Sequence, residues 1–283
     1  MERLDAAMRV GIAVAPNGGR RTAVDHPEVP VTAAALARTA AACLEAGASM
    51  MHVHVRDSAK RHLLDVDAYR EATAAIRAAV GDRLVLQVTS EALGIYAPSQ
   101  QMAVIRELRP EAVSLALREL APDAAAEDAF LRFLAELQEA RVRPQFILYS
   151  PGEAARLGEL VARGRLPWRD VPVLYVLGRY TAGQVSLPAD LLPFLAPGMP
   201  RFAHWMACAF GRHELACVTT AGLLGGHLRV GFENNLWLPD GRVAADNAEL
   251  VRGAAALLSQ AGCVVADADE LRSAWDAMLL QSA

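Results

Sequence analysis

Apolar blocks of strand length alternate with stretches of helical period from one end of the chain to the other. The blocks fall at about 8–15, 50–56, 83–89, 112–117, 143–149, 172–178, 201–208 and 226–232, and their length and apolar content predict eight strands. Between them, helical periodicity predicts amphipathic helices over 32–46, behind the N-cap candidate Thr32, and over 66–80, 98–108, 123–140, 152–163, 185–195, 211–223 and 244–262. A last helical stretch, 268–281, is left over as a cap or an oligomer contact.

Strands that alternate with helices imply parallel pairing, because each parallel neighbour is reached through a crossover. The runs "RLVLQVT" and "FILYS" are apolar without alternation, as expected of strands covered on both faces. An open doubly wound sheet satisfies the same pattern, but a count of eight favours a closed (β/α)8 TIM barrel. The length of 283 residues suits such a barrel, which takes roughly 250. No linker divides the chain, so residues 1–283 read as a single barrel domain with an extra C-terminal helix.

Composition removes several function classes. The apolar fraction is 53% and the mean hydropathy +0.20, yet no apolar run approaches the ~20 residues of a bilayer span, so no membrane partner is expected. The opening "MERLDAAMRV" lacks the apolar segment and cleavage site of a secretory signal, which makes the cytoplasm the expected address. With a net charge of −4 and dispersed arginines, no basic stripe offers itself to a nucleic acid. Cys43, Cys208, Cys217 and Cys263 have no CxxC spacing and read as reduced core thiols. Lys60 is the only lysine, so Schiff-base chemistry has one candidate nucleophile, in a loop after "RDSA".

The stretch "MHVHVRD" carries the clearest chemical signal. Side chains two apart on a strand share a face, so His52 and His54 project together, with Arg56 beside them. Two imidazoles at the C-terminal end of a barrel strand are half of a tetrahedral zinc site, at the end where barrel active sites lie. The bland alternative is a pair of hydrogen-bonded core histidines, and that structural reading is taken for His26, His62, His204 and His227. In "HLRVGFENN", Glu233 shares parity with Arg229 and Gly231 and ends strand 8, two strands from the histidines across the barrel mouth. Two histidines and a glutamate with an open position form a catalytic rather than a structural zinc set; an ordinary loop carboxylate is the alternative for Glu233.

Over nearly its whole length, from "AVAPNGG" to the last helix, the chain resembles the β-keto acid cleavage enzymes. The resemblance rests on "VPVTAAALARTAAACLEAGASMMHVHVRD" and "GGHLRVGFENNLWLPDGRVAADNAELV". It implies a (β/α)8 barrel with one divalent metal, usually Zn2+, that takes a β-keto acid and acetyl-CoA to acetoacetate and a new acyl-CoA, usually as a homotetramer. Carried over by position, His52, His54 and Glu233 look like the metal ligands, and Arg229 like the arginine beside the catalytic acid. A β-keto acid chelates such a metal, which polarises the ketone, while a base removes a neighbouring proton and Arg229 helps the enolate.

The chain departs from the family pattern where the base belongs. The family commonly reads Glu-Asp-Asn, whereas this chain has Glu233-Asn234-Asn235, and an amide is no general base. Glu119 is therefore expected to take over, with Arg118 as an anion clamp, a salt-bridged loop pair being the alternative. Thr89 and Ser90, with Glu91 next to them, stand where a substrate carboxylate is usually held. In the "PNGGRR" loop that contains Asn17, Arg20 replaces the acidic residue that meets an ammonium in aminohexanoate-cleaving members. A neutral or anionic substrate side chain is expected in consequence. Gly211, Arg212 and His213 open a helix after strand 7, where CoA phosphates would dock. Rival readings are an amidohydrolase-type zinc hydrolase, for which Lys60 and the last strand are misplaced, a Schiff-base aldolase, and a relative that binds metal and ligand without turnover.

Overall fold

In a computed structural model, which describes residues 7–281, the eight blocks close into a parallel barrel in chain order: β1 (Ile12–Val14), β2 (Met50–Val53), β3 (Val85–Thr89), β4 (Ala112–Ala116), β5 (Arg143–Leu148), β6 (Val173–Leu177), β7 (Trp205–Ala209) and β8 (His227–Val230), with β8 pairing back onto β1. The expected first strand is split. Arg9–Val10 pairs with Val264–Val265 outside the barrel, and only Ile12–Val14 enters it. The second is split too: after His54, Val55–Arg56 leaves the barrel and forms a short antiparallel ribbon with His62–Leu63.

Side-chain parity separates two cores. Outward residues of the strands, such as Val53, Val88, Leu115 and Phe146, pack beneath the surrounding helices. Inward residues, such as Met50, Val85, Ala112 and Leu174, form a second cluster in the lumen together with Ala268, Leu271 and Trp275. The helix Ala268–Leu279 therefore plugs the N-terminal end of the barrel, which makes it the cap that one reading of 268–281 anticipated. Trp275 Nε1 donates to His204, whose ring stacks on His227 at 4.1 Å, and His227 Nδ1 accepts from Gly11 N. His26 contacts Ala244 O and Glu28 N, so these three histidines are structural, as expected.

The helices start where short polar side chains cap them. Thr32, Asp65, Asp123, Ser150, Asp246 and Asp267 each accept the amide three residues on, an interaction of about 1 kcal/mol apiece. The expected helix over 185–195 is absent. Pro188 and Pro193 withhold backbone donors, and the segment resolves into a 3-10 turn, Pro188–Leu191, and one helical turn, Leu192–Leu195. An unanticipated single turn, Leu117–Leu120, follows β4 and carries Arg118 and Glu119. No helix among the described residues is long and apolar enough to cross a membrane.

Candidate active site

Above the apolar layer of the lumen lies a polar one. The β2–β3 register sets His52 opposite Gln87, and His52 Nδ1 donates to Gln87 Oε1 at 2.8 Å. Gln87 in turn donates to Gln145 Oε1 at 3.0 Å, which fixes its own orientation. His52 Nε2 therefore turns its lone pair inward, and burial pushes the imidazole down to about 3, so it is neutral. His54 sits where the strand leaves the barrel, directly above. The loop after β1 is tied to this point by Asn17, whose amide donates to Pro30 O and His54 O. Arg56 does not face the site with the histidines; its guanidinium clamps the same loop through Asn17 O, Gly18 O and Arg21 O and also donates to Lys60 O in its own ribbon turn.

Glu233 reaches the histidines because the chain turns sharply at Gly231. Its φ of 133° and the approach of Ala15 O, 2.4 Å from where a Cβ would be, allow no side chain there. His52 Nε2, His54 Nε2 and Glu233 Oε2 are then 3.1, 3.3 and 3.7 Å apart. Tetrahedral ligands about 2.0–2.1 Å from a zinc-sized ion lie roughly 3.3–3.4 Å from one another. Glu233 Oε2 is buried and without a hydrogen-bond partner, and two imidazole nitrogens meet with nothing between them. The three donors thus fit a divalent cation, and they are the group among the described residues whose ligand atoms converge in this way.

Beneath them Arg229 is buried, donating to Glu233 Oε1 at 3.0 Å and Asn234 Oδ1 at 3.3 Å. Burial works to raise Glu233, but Arg229 and then His54 outweigh it and hold the carboxyl well below the usual range. The Nε and a second terminal nitrogen of Arg229 are buried without an oxygen acceptor, the Cys208 thiol lies beside the guanidinium, and Arg229 lines a shaft. Asn234 Nδ2 turns the other way, to Glu214 Oε1 at 3.2 Å. Glu214 also accepts from Asn235 and Gly231 N, and burial pushes it up to about 8 against those bonds.

The shaft, of about 20 Å3, is lined by His52, His54, Glu233, Arg229, Thr89 and Ser114, with Glu91, Tyr149 and Arg179 among its other walls. That volume holds about one water-sized species. It opens into a cleft of about 360 Å3 to which Asn17, Arg20, Arg21, Glu91 and Arg179 contribute. Thr89 thus lines the shaft, and Asn17 and Arg20 the cleft. Ser90 lines neither: its hydroxyl donates to Ser114 O, and the unpartnered Ser114 Oγ occupies the shaft instead. Glu119 is also elsewhere, accepting from Ala92 N at 2.8 Å and Gln101 Nε2 at 2.9 Å, and so pins the loop after β3. Arg118 is bound to Glu153 and lies 4.5 and 4.7 Å from the ring centroids of Tyr149 and Tyr180. Gly211 donates to Asn234 O, whereas Arg212 and His213 are exposed and line neither cavity. His62 supports the site, donating to Glu91 O at 2.7 Å.

Ser114, Tyr149, Arg179 and Glu214 escaped sequence reasoning. Ser114 left a signal, as the lone polar residue of "AVSLAL" with the inward parity of Ala112 and Ala116. Arg179 follows Gly178 at a strand end, a position as telling as Glu233's. Glu214 left none, since its role depends on a helix start packing under the turn after β8.

Comparison with known proteins agrees with this geometry. A 3-keto-5-aminohexanoate cleavage enzyme of Fusobacterium nucleatum subsp. nucleatum is 29% identical over 266 residues, 92% of this chain and 95% of that one. A 3-oxoadipate:acetyl-CoA acetyltransferase of Cupriavidus necator is 26% identical, covering 93% of each chain. In fold the chain is similar to ObcA bound to oxaloacetate, with a TM-score of 0.70 at 17% identity, spanning 88% of this chain and 67% of that longer one. The family model described as beta-keto acid cleavage enzyme matches residues 9–276, and the chain belongs to that family.

Proposed function

We propose that this protein is a metal-dependent acyltransferase that converts a β-keto acid and acetyl-CoA into acetoacetate and a new acyl-CoA. The observation that carries the reading is the convergence of His52, His54 and Glu233 in the wall of a shaft that Arg229 also lines. A divalent ion held by those three residues would supply Lewis-acid polarisation of a ketone oxygen. The chain's own groups do the rest. Thr89 and Ser114 offer hydroxyls, and Arg229 a charged donor, to the carboxylate and to the negative charge that develops on enolisation. Among the described residues, Glu91 and Glu233 are the carboxylates that line both shaft and cleft. Glu233 is engaged by Arg229, so we assign proton removal to Glu91 in place of Glu119. Burial raises Glu91 above an ordinary carboxylate, in the direction a general base requires. Arg20, Arg21 and Arg179 around the cleft favour a neutral or anionic substrate side chain over an ammonium.

The second reading, a relative that binds metal and ligand without turnover, draws on Asn234. One experiment separates the two: metal-loaded protein is incubated with acetyl-CoA and a panel of β-keto acids, and products are followed by mass spectrometry. Equimolar acetoacetate and acyl-CoA, abolished by chelation and restored by metal, is the expected result. Absence of acetoacetate with every member of the panel overturns the enzymatic reading.

A further inference from the structure

Arg179 is a half-buried cation of the shaft without an ion pair among the described residues; Arg20, which shares the cleft and is also without one, is exposed. Arg179 follows β6 directly and lines both the shaft and the cleft. Its guanidinium rests 5.1 Å from the ring centroid of Phe210 and 5.7 Å from that of Tyr180. Among the described residues no carboxylate comes within ion-pair distance of it and its side chain donates no hydrogen bond; Glu91 is near enough to feel its charge, and Gln184 donates only to its backbone carbonyl. Its neighbours differ. Arg229 is held by Glu233, Arg21 donates to Asn234 O, and Arg118 is bound to Glu153. A guanidinium laid flat on an aromatic ring keeps its in-plane N–H fork free for an oxyanion. Besides Glu91 and Tyr149, the shaft wall that Arg179 shares carries Ile147, Val176 and Phe210, and Phe210 continues into the cleft. Those apolar side chains suit methylene groups.

We infer that the substrate is a β-keto dicarboxylic acid, only its keto-acid oxygens entering the narrow shaft towards the floor, its methylenes passing Phe210 into the cleft of about 360 Å3, and its distal carboxylate on the fork of Arg179, which lines both. This rests on the reading above for the keto-acid end alone; the distal contact depends only on Arg179. A phosphate of CoA shares the oxyanion chemistry, so the experiment must tell the two sources apart.

Binding to metal-loaded protein is measured by titration calorimetry without acetyl-CoA, so that no turnover intervenes, using 3-oxoadipate and its monocarboxylate counterpart 3-oxohexanoate. The parent should bind the dicarboxylate roughly ten- to a hundredfold more tightly, the range for a charge-assisted pair. Arg179→Leu should compress that ratio to about twofold, and Arg179→Lys, a point charge without the fork, should fall between them. Equal binding of the two acids by the parent, or a preference that survives in Arg179→Leu, overturns the inference. The KM for acetyl-CoA is then measured. If Arg179→Leu raises it equally with every β-keto acid while the acid ratio stays fixed, Arg179 serves a CoA phosphate and the inference fails. Absence of turnover with every acid, alongside an intact binding preference, defeats the acyl-transfer reading and leaves the dicarboxylate site standing.

Discussion

Replacing Arg229 by methionine removes the guanidinium in direct contact with Glu233. Its terminal nitrogen is 3.0 Å from Glu233 Oε1, and it keeps that carboxyl ionised where burial opposes ionisation. In Arg229→Met the carboxylate must stay charged without a partner or take up a proton, and breaking a buried pair in this way costs about 3–5 kcal/mol. At a melting entropy of roughly 2.1 cal/mol/K per residue, 283 residues correspond to about 0.6 kcal/mol/K, so the metal-free protein should melt about 5–8 °C lower. A bound divalent cation takes over the lost charge, so the metal-loaded variant should lose much less. Linkage then requires the variant to bind metal more tightly than the parent, by roughly 5- to 150-fold for a coupling of about 1–3 kcal/mol. Scanning calorimetry of stripped and loaded protein reads the first effect, and competition with a chromophoric chelator reads the second. Equal losses with and without metal, or weaker metal binding by the variant, refute the assignment of Arg229 as the charge partner of a metal-ligating carboxylate.

Gln87→Leu leaves His52 Nδ1 without its acceptor, and chelator competition should find metal affinity down by about 10- to 100-fold; an unchanged affinity would show that His52 needs no such support. Glu91→Gln should lower kcat by at least about a hundredfold, whereas Glu119→Gln should retain most of it, and the reverse order would return the base to Glu119. Glu214 is raised to about 8 by burial, above the roughly 4.3 of an unfolded chain. The folded protein therefore holds a proton that the unfolded chain has released, and stability falls as pH climbs from about 4.5 towards 8. Glu214→Gln should flatten the melting temperature across that window, and a slope equal to the parent's would place no proton on Glu214. Asn234→Asp sets a second carboxyl about 3.2 Å from Glu214; since neighbouring like charges do not both ionise in a dry site, a proton should be shared between them. The test is a new ionisation in the pH–rate profile, and an activity gain with no added ionisation would contradict it.

The barrel was legible because its period is. Strands covered on both faces show as continuous apolar blocks, and parity alone brought His52 and His54 to one face and Glu233 towards them. What failed did so where the period changes. Glu119 as base and Arg118 as anion clamp would have to face the shaft, but Leu117–Leu120 is a helical turn. At about 100° per residue it swings Glu119 towards Ala92 and Gln101 and Arg118 onto Glu153. Ser90 was misplaced by one step of parity, which on a strand exchanges one face for the other; the lumen takes Thr89 and, from the next strand, Ser114. The helix over 185–195 had apolar spacing but also two prolines, and the missing donors prevailed.

The exchange at Asn234 follows from the charges around it. The family resemblance implies an aspartate at this place, and here that residue would lie between Arg229 and Glu214. Arg229 is one buried positive charge and Glu233 one negative, so the pair is balanced before any further carboxyl is added. Glu214, raised by burial to about 8, remains largely protonated near neutral pH and adds no net charge. An aspartate at 234 would have to compete with it for the same proton. With an amide there, Asn234 accepts from Arg229 and donates to Glu214, and every polar atom of its side chain is used without a charge. The carboxyl that remains on this side therefore points away from the shaft, behind Asn234. A group that removes a proton in the shaft must then come from the opposite wall, where the loop after β3 is held by Glu119 and His62 and presents Glu91 to both cavities.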